Sequence, residues 1–129
     1  MIARMAVLIR QGDIDGALRL LQDFLGTVPC NTNYEGHYQQ ILFIIFTLLT
    51  HFVVDVEVHT PNGRVDVVML TENTLYLIEL KLNRSAQVAM RQINLKQYDK
   101  RFALCGKPIV KVGVNFDAKK GNIEEWIIE

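Results

Sequence analysis

A single domain of α/β or α+β class is what this sequence predicts, on three observations. Half of its 129 residues (50%) are hydrophobic, enough to bury a core in a chain of about one domain's length and an argument against disorder. Through the first third of the chain the apolar residues recur at helical spacing. After His51 the pattern changes to β-branched runs divided by turn residues, with one further helical segment between strands.

Residues 2 to 10 have helical character, and Asp13 is placed to N-cap a second helix in which Ala17, Leu18, Leu21, Phe24 and Leu25 share one face. Gly26 and Pro29 end it. Thr32-Asn33-Tyr34-Glu35 fits the capping box S/T-x-x-E and opens a long helix with its apolar heart from Ile41 to Leu49. Gln, Thr and His interrupt that run, which falls short of the roughly 18 apolar residues a membrane span needs, so a buried core helix is expected. VVDVEVHT, GRVDVVML and TLYLIELK read as three strands of a meander, divided by Pro61-Asn62-Gly63 and Thr71-Glu72-Asn73. Ser85 can cap a helix from about Ala86 to Ala103, which Gly106 ends. PIVKVGVNF then reads as a fourth strand buried on both faces, and NIEEWII as a short fifth. No repeat, linker or low-complexity segment interrupts this order.

Bulk charge excludes little, because Lys plus Arg and Asp plus Glu number 14 each. Only local charge can speak for a nucleic-acid or acidic partner. His37, His51 and His59 lack the spacing of zinc motifs, and no G-x-x-x-x-G-K-[S/T] is present to bind ATP through a P-loop. Cys30 and Cys105 form no C-x-x-C pair and no signal peptide precedes them, so reduced thiols in a cytoplasmic protein are expected. Cys105 has no evident base partner and reads as a buried thiol.

The second and third strands carry the chemistry. If they form a hairpin centred on Glu72-Asn73, Leu70 faces Leu75, Asp66 faces Glu79 and Arg64 faces Lys81, all four charged residues on one face of the sheet. Opposed carboxylates about 4.5–5.5 Å apart at Cβ repel, and something must compensate them. Two converging carboxylates beside a lysine suit Mg²⁺, which keeps waters for a phosphate and a nucleophile. The lysine can then orient a water or stabilise charge on phosphoryl oxygens. The alternative is that Arg64 and Lys81 simply neutralise Asp66 and Glu79 as ion pairs at a strand end.

Gly63-Arg64-Val65-Asp66 followed by Glu79-Leu80-Lys81, with twelve residues between Asp66 and Glu79, resembles the D-x(n)-E-x-K signature of the PD-(D/E)XK nuclease superfamily. Further blocks stand in order around it: Tyr34-Glu35-x-x-Tyr38-Gln39, Gln92-Ile93 and Gly113-Val114-Asn115-Phe116. Together they are similar to the nuclease-type domain found C-terminal to AAA-ATPase-like domains in bacterial proteins. The proline of the family name is missing, since Val65 precedes Asp66, at a position that varies within the superfamily. The resemblance implies an α/β, restriction-endonuclease-like core with a mixed central sheet of about four or five strands flanked by helices. Residues 1–30 are then an N-terminal helical extension and 31–129 the nuclease-like domain.

For the site, the resemblance implies that Asp66 and Glu79, with the backbone carbonyl of Leu80, hold Mg²⁺ or Mn²⁺ while Lys81 assists the attacking water. Glu35 matches an acid that many members add from the first core helix, though the capping box competes for the same carboxylate. Gln92 falls between an apolar flank of Val88, Leu95 and Phe102 and another of Ala86 and Ile93, so it is expected to point inward. Related recombination nucleases carry Q-x-x-x-Y on this helix. Here Lys96 replaces the tyrosine, which makes it a candidate phosphate contact. Between Lys81 and Arg101 six basic residues accompany the single acid Asp99, so Arg84, Arg91 and Lys96, with Arg64, are candidate nucleic-acid contacts of the salt-sensitive kind.

Three functions are compatible with these residues. The first is a Mg²⁺-dependent nuclease acting on DNA. The second is a non-catalytic nucleic-acid-binding module that keeps the fold. The third is a protein-interaction module tied to an ATPase domain or subunit. DNA is the expected partner, a homodimer that cuts both strands is one arrangement open to it, and no membrane is expected.

Overall fold

The computed structural model describes residues 1–28, 35–52, 55–60, 64–96 and 106–129, with the backbone alone at 35–37. Helical spacing of apolar residues produces the first two elements. Helix α1 (Ile2–Arg10) buries Met5, Ala6 and Ile9, and α2 (Ile14–Leu25) buries Ile14, Ala17, Leu18, Leu21 and Leu25. The Asp13 carboxylate accepts a hydrogen bond from the Gly16 backbone N–H at 2.8 Å, satisfying a donor that the first turn leaves open. Helix α3 (Glu35–Leu48) runs into a short 3-10 helix (Leu49–Phe52) and buries Tyr38, Leu42, Ile45 and Phe46. The capping box before it lies outside the described residues.

The strands are β1 (Asp55–His59), β2 (Arg64–Leu70), β3 (Leu75–Leu82), β4 (Ile109–Asp117) and β5 (Asn122–Ile128), in the spatial order β1-β2-β3-β4-β5. Neighbours pair antiparallel except β3 and β4, which are parallel. A parallel pair needs a crossover, and helix α4 (Ala86–Leu95) lies on it. The result is the expected α/β mixed sheet flanked by helices, consistent with a restriction-endonuclease-like fold.

Side-chain alternation gives the sheet two different faces. Val65, Val67 and Met69 of β2, Tyr76, Ile78 and Leu80 of β3, and Val112, Val114 and Phe116 of β4 join the buried residues of α1, α2 and α3 in one large core. On the other face a smaller cluster joins Leu75 and Leu77 to Met90 and Ile93 of α4. Polar ties hold the N-terminal helices to the sheet: the Gln22 amide donates to the Ile123 carbonyl at 2.9 Å, the Asn122 amide to the Gln22 carbonyl at 3.0 Å, and the Trp126 indole N–H to Asp15 at 2.8 Å. The fourth strand is buried on both faces only from Val112 to Phe116, while Ile109 to Lys111 are half-buried.

Helix α4 corrects one expectation. Ser85 caps it by accepting from the Val88 N–H at 3.1 Å, as its position predicts. Its buried stripe, however, is Ala86, Ala89, Met90 and Ile93, whereas Val88 and Leu95 of the other expected flank are 37% and 74% exposed. Small residues at 86 and 89 let the helix backbone settle close to the sheet, which turns that flank outward and leaves Gln92 half-buried. The expected continuation toward Ala103 lies outside the described residues. Among the described residues, no helix is long and apolar enough to cross a membrane.

The close seating of α4 rests on Gly113 in β4. A Cβ there would stand 2.6 Å from the Ala86 carbonyl oxygen and 2.7 Å from the Met90 nitrogen, both backbone atoms that cannot rotate away. Gly113→Ala is expected to destabilise the protein by about 1–3 kcal/mol, the usual cost of overpacking, read as a lowered urea midpoint. An unchanged midpoint would mean that α4 does not lie this close.

Candidate active site

The hairpin of β2 and β3 sets the site. Its register pairs Leu70 with Leu75, Asp66 with Glu79 and Arg64 with Lys81, as the turn at Glu72-Asn73 predicts. The Thr71 hydroxyl closes that turn, accepting from the Thr74 N–H at 3.0 Å and donating to the Thr74 carbonyl at 3.1 Å. The row through the acids runs on in both directions: His59 of β1 pairs with Asp66, and Glu79 with Gly113 of β4. A second row carries Arg64, Lys81 and Asn115. Both rows lie on the α4 side of the sheet.

Asp66 is 9% exposed and Glu79 1%, so two carboxylates face each other out of water. The cation between them is Lys96, the residue that ends α4. Its ammonium donates to Asp66 Oδ2 and to Glu79 Oε1, each at 2.8 Å. Of the two cations expected there, Arg64 stands farther off, its Nε 3.5 Å from Asp66 and 3.8 Å from Glu79. Lys81 forms no ion pair among the described residues. One oxygen on each acid, Asp66 Oδ1 and Glu79 Oε2, is buried without a hydrogen-bond partner among the described residues, as is Arg64 Nε. Such orphans are uncommon in native proteins and call for a reason.

The electrostatics follow from this crowding. Burial first, then the adjoining Asp66 carboxyl, push Glu79 up to about 7 against the pull of Lys96. Burial also works against charge on Asp66, but its hydrogen bonds with Glu79 and Lys96, helped by the charges of Lys96 and Arg64, outweigh it and hold Asp66 below the usual carboxylate range. For Lys96, burial disfavours the ammonium, yet its bonds to both acids raise its pKa. The pair therefore divides its protons unequally, which is how two carboxyls in one apolar site avoid carrying two full charges.

The donor chemistry fits a hard divalent cation. The opposed carboxylates each keep an oxygen unpartnered among the described residues, and oxygen ligands suit Mg²⁺ and Mn²⁺. Among the described residues no third His, Cys, Asp or Glu completes a cluster, so a cation there would depend on backbone oxygen and water for its remaining positions. Leu80 stands between Glu79 and Lys81 with its side chain in the opposite core.

The remaining candidates are distributed as follows. Glu35 opens α3, but its side chain is outside the described residues. Gln92 accepts the Lys96 N–H through its backbone carbonyl at 3.2 Å, and its amide makes no hydrogen bond among the described residues. Arg84 and Arg91 are exposed. The Arg84 backbone N–H donates to Asn115 Oδ1 at 2.8 Å, and Asn115 in turn donates to Glu124 at 2.9 Å, which holds the end of β3 beside β4. The Gln39 amide donates to the Arg64 carbonyl at 3.0 Å, and the Tyr38 ring packs 5.1 Å from Phe116, so α3 is anchored at the charged end of β2.

Two relationships escape the sequence reading. Lys96, expected at a phosphate, is turned onto the carboxylates; at about 100° per residue it continues the face of Ala89, a signal present in the spacing. His59 lies beside Asp66 in the row and hydrogen-bonds Glu57 at 2.8 Å. A hairpin centred on Asn62-Gly63, a favoured turn pair, would have placed it there.

A family model described as the PD-(D/E)XK nuclease superfamily matches residues 33–126. A curated relative, an uncharacterized protein in the vnfD 5' region of Azotobacter chroococcum mcd 1, is 27% identical over 131 residues, covering 95% of this chain and 25% of its own length. The chain thus spans about a quarter of the relative it matches. No solved structure gives a significant match.

The raised pKa of Glu79 has a measurable sign. Between its ordinary value and about 7, the folded protein holds a proton that the unfolded chain has released, so Glu79 contributes stability below this window and loses it as pH rises through it. In chelating buffer, wild type should therefore lose stability relative to Glu79→Gln as pH rises from about 5 to about 8, measured by urea unfolding of both proteins. A pH-independent difference would show that Glu79 titrates normally.

Proposed function

Because the chain belongs to the PD-(D/E)XK nuclease superfamily, we propose that it is a divalent-metal-dependent nuclease that hydrolyses DNA phosphodiester bonds at Asp66, Glu79 and Lys81. The observation that carries this reading is the buried, opposed pair Asp66 and Glu79, each with an oxygen that has no partner among the described residues. Asp66, Glu79 and the Leu80 carbonyl would hold Mg²⁺ or Mn²⁺, which when bound supplies positive charge to a phosphoryl oxygen. Lys81, one alternation beyond Glu79 on the same face, orients the attacking water and stabilises charge that develops on the phosphate. Glu35 and Gln92 are assigned to support the water and the acids from the two flanking helices. Arg64, Arg84, Arg91 and Lys96 supply backbone-phosphate contacts, so binding should weaken steeply with salt.

A second reading has an observation of its own. Lys96 already neutralises both acids, which is how a site without a metal would be built. In that case the chain is a non-catalytic nucleic-acid-binding or interaction module. An AAA-ATPase-like domain is the partner proposed for it on either reading, given that the matched relative is about four times the length of the match.

Calorimetric titration of Mg²⁺ and Mn²⁺, with a nicking assay on supercoiled plasmid, distinguishes the two readings. Wild type should bind metal and nick DNA, chelator should abolish nicking, and Asp66→Ala should reduce the rate by about two to three orders of magnitude, as removal of a charge-stabilising group does. No metal-dependent cleavage, with identical titrations for the two proteins, would leave only the second reading.

A further inference from the structure

We propose that Lys96 is a tethered cation that occupies the carboxylate pair until a divalent ion replaces it, and that its release delivers the ammonium to a substrate phosphate. The inference rests on the metal-dependent reading of the same site and adds its regulation.

The geometry is competitive. Lys96 Nζ lies 2.8 Å from an oxygen of each acid, the same two carboxylates that a shared metal ion would use. An ammonium and a divalent ion held by the same two carboxylates would stand only a few ångströms apart and repel strongly at low dielectric. The ammonium is also the partner on the longer side chain. Ile93 is the last buried residue of α4, and Lys96 is its C-cap residue, one turn beyond. Four methylenes separate its charge from the backbone, and its side chain is 19% exposed, so the head can leave the acids while the helix stays seated on Gly113. The acids cannot move in this way, because both lie within paired strands.

A second cation remains at the site throughout. Arg64 stays beside the acids at 3.5 and 3.8 Å, so departure of Lys96 does not strip the site of cations. Departure would release the ammonium on the α4 side of the sheet, the face that also carries Arg64 and Lys81. Metal and phosphate backbone should therefore bind with positive coupling, each favouring the conformer in which Lys96 has left the acids.

Trace acylation of lysines in the wild-type protein, read by mass spectrometry without nucleic acid, reports on Lys96 directly. In chelator Lys96 should react slowly, and saturating Mg²⁺ should raise its rate at least about fivefold, while exposed Lys120 serves as the reference and stays constant. In parallel, Lys96→Met and Lys96→Gln at about pH 8 should bind Mg²⁺ roughly tenfold more tightly than wild type, within the usual range of coupling. If wild type binds metal but Lys96 reactivity does not change and the variants bind no more tightly, the tether is overturned and the nuclease reading stands. If no protein binds metal, the nuclease reading falls and this inference with it. Should the variants fail to fold, the wild-type footprint decides.

Discussion

Two acids opposed across a buried hairpin are the constraint on which the rest of this structure depends. Asp66 and Glu79 sit where side-chain alternation would otherwise put apolar residues, in line with Val68, Leu70, Leu75 and Leu77 on the same face. Like charges at that separation are costly in a low dielectric, so the fold must bring a cation to them or keep a proton on one. It does both: Lys96 bridges the pair, and Glu79 holds its proton to near neutral pH.

Lys96 reaches the acids only because α4 lies against the sheet backbone. Gly113 stands next to Glu79 in the row and takes no space, and Ala86 and Ala89 reduce the helix side of the contact to small residues. The absence of side chains at this contact is therefore part of the electrostatics. A bulkier residue at position 113 would lift α4 and carry Lys96 away from the pair, coupling a packing defect to an exposed charge conflict.

The sheet thereby divides its labour between faces. The face toward α1, α2 and α3 is continuous apolar packing, extended at its edges by Val56, Val58 and Trp126. The face toward α4 is apolar at one end and charged at the other, and the charged end is also where Gln39 and Asn115 fasten the neighbouring elements. Of these ties, Gln39 holds the Arg64 carbonyl and Asn115 holds both the Arg84 backbone N–H and the Glu124 carboxylate.

How far the sequence led depended on the range of the interactions involved. The helices and strands were legible because each buries one periodic stripe or alternating face. The pairing of Asp66 with Glu79 was legible because a tight turn sets a hairpin's register from a few adjacent residues. The family signature lies on those same strands. The cation between the acids was only partly legible: helical spacing puts Lys96 on the face of Ala89, but three basic residues stood within plausible reach and local rules do not rank them. That choice depended on the rotation of α4 about its axis and its height above β4, both set by packing between residues far apart in the chain. The sequence by itself determined which carboxylates meet. Only the tertiary structure decided that Lys96, rather than Lys81, meets them.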